Sequence, residues 1–301
     1  MGKHIVMHII VLSRNPALYS TRSIVNAGRK RGHYVRVVDH MYCDLIMKKN
    51  HLSVQYFGQE LDKVDVVIPR IGASATTYGS AVIRQFESMG VFTTLGSEAL
   101  MRSRDKLRSM QLLGAAGLGI PASAITNNLN STQELVEEVG GVPAVIKLLV
   151  STQGLGVLLA ENMRTATSIF ESFHRLKQQA MIQEYIAEAG GEDIRAFIVD
   201  GEVVASMSRQ AASGDFRSNL HRGGTSTQVK LTEEERGIAL KAARILGLDI
   251  AGVDLLRSNR GVLVLEVNAS PGLEGIETTT GLDISNKIFQ YVERRKRQSR
   301  K

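Results

Sequence analysis

The chain opens with an apolar run, Ile5 to Leu12, followed by a helix-favouring stretch capped near Ser20 and ended at Gly32. Further apolar runs at Tyr34 to Val38 and Val64 to Ile68 lead to a helix-period segment from about Thr77 to Met89, stopped by Gly90, and then to Val91 to Leu95. Short apolar runs read as buried strands, and apolar positions spaced three and four apart read as helices with one buried face. Their alternation predicts a parallel sheet covered by helices. Leu12-Ser13-Arg14-Asn15 carries no glycine fingerprint, so a dinucleotide site is not supported and the sheet reads as a scaffold.

The character changes at Ser103-Arg104-Asp105-Lys106, where a strongly helical run, Leu107 to Ala116, is closed by Gly117 and followed by extended Ile120-Pro121-Ala122. We place a domain boundary there. Beyond it, Ala144 to Val150 is an apolar strand with one charge, Lys147, followed by the turn Ser151-Thr152-Gln153-Gly154-Leu155-Gly156 and a further strand at Leu158-Leu159. Burying an unpaired ammonium is costly, and an anionic ligand would relieve that cost, so Lys147 and the glycine turn read as a phosphate-binding strand with a covering flap. A Lys reaching out from an edge strand is the alternative. Ala180 to Ile186 is strand-like, and Ile194 to Val199 with Val203 to Met207 forms a hairpin across Asp200-Gly201. Gly214 to Gly224 is polar and basic, as an anion-binding loop or an ordinary surface loop would be. Thr232 to Leu246 reads as a helix with a Thr232–Glu235 capping box and Gly247 at its end.

The most informative pattern is Val253-Asp254-Leu255 followed by Leu265-Glu266-Val267-Asn268. A three-residue loop, Asn259 to Gly261, would pair Ser258 with Val262, set Asp254 opposite Glu266 and put Asn268 on the same face. Facing acids repel unless a cation joins them, and three oxygen donors without Cys or His nearby favour Mg²⁺ or Mn²⁺. A surface hairpin that carries two acids is the bland alternative, but the arms are otherwise apolar, which argues that both faces are buried.

Composition narrows the picture. With 301 residues and 43% hydrophobic content the chain can build two or three packed units. One cysteine, Cys43, leaves no internal disulfide, and no apolar run reaches a membrane span, so we expect a cytoplasmic protein without membrane attachment. Ile5 to Leu12 suits a first strand better than a signal peptide, Val6 breaks the myristoylation pattern that Gly2 could begin, and the first six residues read as dispensable. The net charge is +7, but removing the six positive residues and Glu293 of the last nine leaves the body at +2. We expect this tail, residues 293–301, to be a solvated, frayed end, or an arm that holds ribosomal RNA or an acidic protein. A nucleic-acid-binding module would need stacking aromatics, whereas 5% of residues are aromatic and Trp is absent.

The lysine strand, the glycine turn, Gln183-Glu184-Tyr185-Ile186 and Asp254…Glu266-x-Asn268, in this order, resemble the ATP-grasp carboxylate–amine ligases, and within them the RimK family of ribosomal protein glutamyl ligases. The similarity runs from about Met7 to Ile288 and is most specific at Pro69-Arg70-Ile71-Gly72, Ser103 to Leu113, Gly214 to Gly224 and Val267 to Glu277. It implies an α/β and α+β fold: an N-terminal parallel βα domain over residues 1–102, then a two-lobed ATP-grasp domain over residues 103–292 with ATP between the lobes. It further implies that Lys106 and Lys147 hold phosphates, that Glu184 and Tyr185 meet adenine, that Asp193 takes a ribose hydroxyl, and that Arg217, Ser218 and Asn219 contact ATP near the reacting phosphoryl group. Asp254, Glu266 and Asn268 would hold two Mg²⁺ or Mn²⁺ ions. Arg209 and Arg195 are candidates for binding substrate carboxylates, with a solvated sheet face as the alternative.

The implied reaction converts a protein C-terminal carboxylate, that of small-ribosomal-subunit protein six, to an acyl phosphate that the amine of L-glutamate then displaces. Ligases acting on a small molecule or an amino-group carrier protein share this chemistry. We also expect a homo-oligomer and ribosome association through the basic tail. The first six residues and residues 294–301 have no counterpart in the family pattern.

Overall fold

Period-two alternation along a few central strands organises the whole molecule. The computed structural model describes residues 6–149, 156–218 and 223–298. In chain order the first part comprises β1 (His8–Leu12), α1 (Tyr19–Lys30), β2 (Tyr34–Val38), β3 (Cys43–Lys48), β4 (His51–Tyr56), β5 (Gln59–Glu60), β6 (Val66–Pro69), α2 (Thr76–Ser88) and β7 (Phe92–Thr93). Strands β2-β1-β6-β7 form the expected parallel sheet, and β3-β4-β5 form a small antiparallel sheet that the sequence reading did not foresee. Helices α3 (Ser97–Arg104) and α4 (Lys106–Ala115) follow, separated at Asp105, whose carboxylate accepts from the Arg108 amide and caps α4.

A small lobe comes next, with β8 (Ser123–Ile125), α5 (Thr132–Glu138), β9 (Ala144–Leu148), β10 (Val157–Ala160), α6 (Met163–Arg175) and β11 (Ala180–Glu184), its antiparallel strands ordered β10-β9-β11-β8. The larger sheet is ordered β14-β13-β12-β15-β16, from β12 (Glu192–Val199), β13 (Glu202–Gln210), β14 (Thr225–Gln228), β15 (Ile250–Ser258) and β16 (Gly261–Asn268). Helix α7 (Glu233–Leu246), with the expected Thr232–Glu235 capping box and a left-handed Gly247, precedes β15, and α8 (Glu274–Thr280) and α9 (Ile284–Gln298) end the fold.

Alternate residues of the same strands feed two different cores. Ile10 and Leu12 of β1, Val67 of β6, Ile194, Ala196 and Ile198 of β12 and Val253 and Leu255 of β15 pack with α2, α3 and α7. Their neighbours Ile9, Val11, Val66, Ile68, Phe197, Val199 and Ile250 pack with α1 and α9. Both cores cross the expected division near residue 103, so the N-terminal sheet and the larger sheet form one packed body. The small lobe has a separate core around Ile146, Phe170 and Ile182.

Helix α9 corrects the reading of the C-terminus as a frayed arm. Ile284, Ile288, Phe289, Tyr291 and Val292 bury one face, and the Tyr291 hydroxyl donates to Asp249 at 2.6 Å. Glu293 accepts from Arg31 at 2.7 and 2.8 Å, Lys296 pairs with Asp65 at 2.9 Å, Arg294 pairs with Asp200, and Arg295 lies over Phe92. The basic end is therefore helical to Gln298 and held to the body as far as Lys296. Residues 299–301 lie outside the described part.

The α1–α9 contact is tight enough to require glycine. A Cβ built at Gly28 would sit 2.5 Å from the Phe289 ring and 2.6 Å from Val35. We expect Gly28→Ala to cost about 1–3 kcal/mol through overpacking. Gly237→Ala, in the exposed first half of α7 with nothing within 4 Å, should instead stabilise by about 0.5–1 kcal/mol. Denaturant unfolding of both variants measures the contrast.

Candidate active site

The larger sheet assembles a row of charges by strand register alone. On β12, Asp193 and Arg195 share a face because they are two residues apart. Register sets Asp193 opposite Arg209 of β13 and Arg195 opposite Asp254 of β15. Asp254 in turn lies opposite Glu266 of β16, with Asn268 two residues further on. The Asp254–Glu266 pairing matches expectation, but the turn does not. The loop has two residues, Asn259 and Arg260, and Ser258 pairs with Gly261. A bulge beside Asp254 and Leu255 leaves Leu265 unpaired and restores the register that the shorter turn would have shifted.

Two arginines compensate Asp254. Arg195 binds its carboxylate in the forked manner at 2.7 and 2.6 Å, and Arg209 donates to the same carboxylate at 2.8 Å. Arg209 also forks onto Asp193 at 2.6 Å for both contacts, and Ser218 donates to Asp193 as well. Burial pushes the Asp254 carboxyl up, but the two guanidiniums together hold it below the usual carboxylate range. Arg209 is 5% exposed, so the solvated-face alternative does not hold for it. Its guanidinium is pushed to a higher pKa by the two carboxylates against burial.

Glu266 is exposed and forms no hydrogen bond or ion pair among the described residues, and Asn268 is half-buried beside it. No cluster of three or more His, Cys, Asp or Glu side chains is placed to hold a metal among the described residues. The oxygen set here is two carboxylates and an amide. Those donors suit a hard divalent cation, with Glu266 and Asn268 presented freely and Asp254 sharing an oxygen that already accepts from arginine.

The two lysines face this row from other elements. Lys106, at the start of α4, donates to the Leu148 carbonyl at 2.9 Å, and Lys147 of β9 donates to Gln183 of β11 at 2.5 Å. Gln183 is fixed in turn by Ser123 at 2.9 Å. Burial pushes Lys147 down to about 8, reinforced by the Lys106 charge and opposed by Glu266 and Asp254. Lys106 is lowered by burial, again against Glu266. Both ammonium groups thus lie within the field of the acidic row.

Glu184 and Tyr185 sit at the lobe rim. The Glu184 carboxylate accepts from the Ala122 amide at 2.9 Å and is forked by Arg260, so its side chain ties the small lobe to the β15–β16 turn. Tyr185 is half-buried and packs edge-on against Phe216. Arg217 is held by Asp215 and donates to the Val157 carbonyl at 3.2 Å, placing the basic loop against β10. Asn219 and Gly154 lie outside the described residues. The reading of the residues missed the partners that fix the site: Gln183 for Lys147, Arg260 for Glu184 and the Arg195–Asp254 fork. Register between strands distant in sequence reveals the first and last, and the packing of the β15–β16 turn on the small lobe reveals the second.

A fold that sets two lysines and a small antiparallel lobe against an acidic sheet row is that of the ATP-grasp enzymes. A RimK-like ATP-grasp domain matches residues 103–292, and a RimK PreATP-grasp domain matches residues 7–100. The chain is 56% identical over 288 residues to a probable alpha-L-glutamate ligase of Pseudomonas paraeruginosa, covering 96% of each. It is 53% identical over 294 residues to probable alpha-L-glutamate ligase 1 of Hahella chejuensis, covering 98% and 97%. The ATP-grasp ligase PsnB, solved with a minimal precursor, Mg and ADP, superposes with a TM-score of 0.75 at 20% identity over 96% of this chain and 98% of that one. D-Alanine–D-alanine ligase of Bacillus anthracis, complexed with ATP, gives 0.69 at 18% identity over 98% and 100%. The chain belongs to the RimK family and is an ATP-dependent carboxylate–amine ligase. No helix among the described residues is long and apolar enough to cross a membrane.

Removing Arg209 would leave Asp193 and Asp254 buried with one guanidinium between them. We expect Arg209→Gln to destabilise the fold by about 3–5 kcal/mol at neutral pH. The two carboxyl groups would then titrate above their ordinary values in the folded state. The loss should therefore shrink as pH falls and the folded state takes up protons that the unfolded state does not yet bind. Denaturant midpoints of both proteins across the acidic range check this sign.

Proposed function

We propose that the protein joins L-glutamate to the C-terminal glutamate of a protein, with ATP and Mg²⁺. The observation that carries this reading is the oxygen row of Asp254, Glu266 and Asn268 set against Lys106 and Lys147, which provides cation donors and phosphate donors on opposing elements. The names of its relatives support glutamate as the amine, and PsnB and the macrocyclase MdnC, solved with precursor peptides, support a peptide as the acid. The family resemblance supports the C-terminus of small-ribosomal-subunit protein six as the acceptor.

In this reading a carboxylate oxygen of the acceptor attacks the γ-phosphorus of ATP, and the bond to the bridging oxygen breaks to release ADP. The amine of glutamate then attacks the acyl carbon, phosphate leaves and the nitrogen loses a proton. Lys106 and Lys147 neutralise the phosphates, Arg217 offers a further cation beside β10, and Glu184 and Tyr185 border the base. Asp193 and Ser218, joined to each other, form a polar edge for the ribose. Bound Mg²⁺, one or two ions held by Asp254, Glu266 and Asn268, would offset charge on the phosphate oxygens.

Intact-mass analysis of an acceptor peptide ending in glutamate, after incubation with ATP, Mg²⁺ and each common amino acid in turn, tests the reading. Growth in glutamyl steps with L-glutamate alone is the expected result. Growth with another amino acid, or none with any, would sink it. Glu266→Gln should fold as the wild type, because the side chain is exposed and unpaired, yet lose at least about a hundredfold in ligation rate.

The low pKa of Lys147 gives a second test. A bound polyphosphate favours its charged form, so nucleotide binding should draw a proton from solution as pH rises through about 8, and affinity should fall over the same range. Well below 8 the uptake should vanish. Titration calorimetry in buffers of differing ionisation enthalpy reads the proton count, and Lys147→Arg should abolish it because a guanidinium stays charged.

A further inference from the structure

Two of the most family-specific stretches, Pro69-Arg70-Ile71-Gly72 and Ser103-Arg104-Asp105-Lys106, bring two arginines together that the reading above leaves without a role. In the sheet order β2-β1-β6-β7 the connections diverge between β1 and β6, with α1 on one face and α2 on the other. Open parallel sheets bind ligands in the crevice beyond the carboxyl ends of such a strand pair. Here that crevice is closed by the Arg70 amide donating to the Leu12 carbonyl at 2.8 Å and by Arg14 reaching Ser74 at 2.9 Å.

The Arg70 side chain leaves this crevice to donate to the Pro271 carbonyl at 2.7 Å, in the loop that follows Asn268. Arg104 donates to the Ile71 carbonyl at 2.5 Å. Among the described residues neither forms an ion pair with a carboxylate, although the Glu266 charge acts on Arg104 against its burial, and the Nε of Arg104 and the hydroxyl of Ser270 are buried without a hydrogen-bond partner. Burial and, less, the Arg104 charge together lower the Arg70 pKa to about 10. Like charges and unmatched polar atoms are costly unless something binds them.

We propose that Arg70 and Arg104, at the carboxyl ends of β6 and α3, form a carboxylate-binding subsite for a substrate of the ligation. This rests on the glutamyl-ligase reading for the identity of the substrates, both of which carry carboxylates. A forked guanidinium matches a planar carboxylate, whereas the cations assigned to phosphate, Lys106 and Lys147, are compact ammonium groups carried by α4 and the small lobe.

The test is calorimetric titration of the full chain with AMPPNP, and then, in its presence, with L-glutamate and separately with a peptide ending in glutamate. Arg70→Gln and Arg104→Gln should each weaken L-glutamate, the peptide or both by about ten- to a hundredfold. AMPPNP affinity should stay unchanged in both variants. A loss confined to L-glutamate assigns the subsite to the amine donor, and a loss confined to the peptide assigns it to the acid. The amidated form of the affected probe should bind wild type as weakly as the acid binds the variants, and Arg70→Lys should restore only part of the affinity. Unchanged binding of both acids, failure of wild type to bind either, or a parallel loss of AMPPNP would overturn the proposal. A wild type that binds these acids through the arginines but adds no glutamyl residue in the mass assay would defeat the ligase reading and leave the subsite standing.

Discussion

Arg195, Asp254, Arg209 and Asp193 alternate in sign across three neighbouring strands, and the chemistry of the site depends on that alternation. Buried carboxylates are tolerable here because each is forked by a guanidinium, and the guanidiniums are tolerable for the same reason. The quartet is electroneutral, so Glu266 stands outside it as a negative charge unpaired among the described residues, and Lys106 and Lys147 feel that charge. A site meant to gather cations and phosphates is thus kept charged at its edge and neutral beneath. Further along the same strand face, Phe197, Val199 and Ile250 continue into an apolar core, so the polar row is anchored by ordinary packing.

The small lobe is joined to this body differently. Its own core is separate, and its links to the body are polar: Lys106 to the Leu148 carbonyl, Glu184 to Arg260, Glu188 to the Asn259 amide and Arg217 to the Val157 carbonyl. Polar contacts of this kind, one of them an ion pair, contribute little each, and water can replace them. The root is firmer, since the Val264 amide donates to the Gly119 carbonyl at 2.8 Å and a side chain at Gly119 would meet the Val262 carbonyl. A lobe held tightly at its root and weakly along its rim can admit a nucleotide without disturbing the sheet that holds the charges.

Much of this was legible in the sequence where neighbours in the chain decide the outcome. The βα alternation, the Thr232 capping box, the Asp200-Gly201 turn and the lone charge of Lys147 in its strand all follow from local rules. The Asp254–Glu266 pairing came out as expected only because a bulge offset an error in turn length, and no local signal distinguishes those two routes to one register. Partners brought in by distant strands were hidden: nothing near Asp254 announces Arg195 or Arg209. Charge density misled at the C-terminus. Six positive residues suggested a solvated arm, yet Ile288, Phe289, Tyr291 and Val292 already set a helical face whose next turns reach Asp200 and Asp65.

That last helix has a consequence for how the protein is made. The core on one side of the first sheet is completed by residues between Ile284 and Val292, almost three hundred positions after Met7, which belongs to the same core. A ribosome emits the chain from its N-terminus, so Ile9, Val11, Ile24 and Val35 emerge long before Phe289 and Tyr291 can cover them. The first domain to leave the ribosome is the last to be sealed. Until then the nascent chain lacks the helix that covers this apolar face.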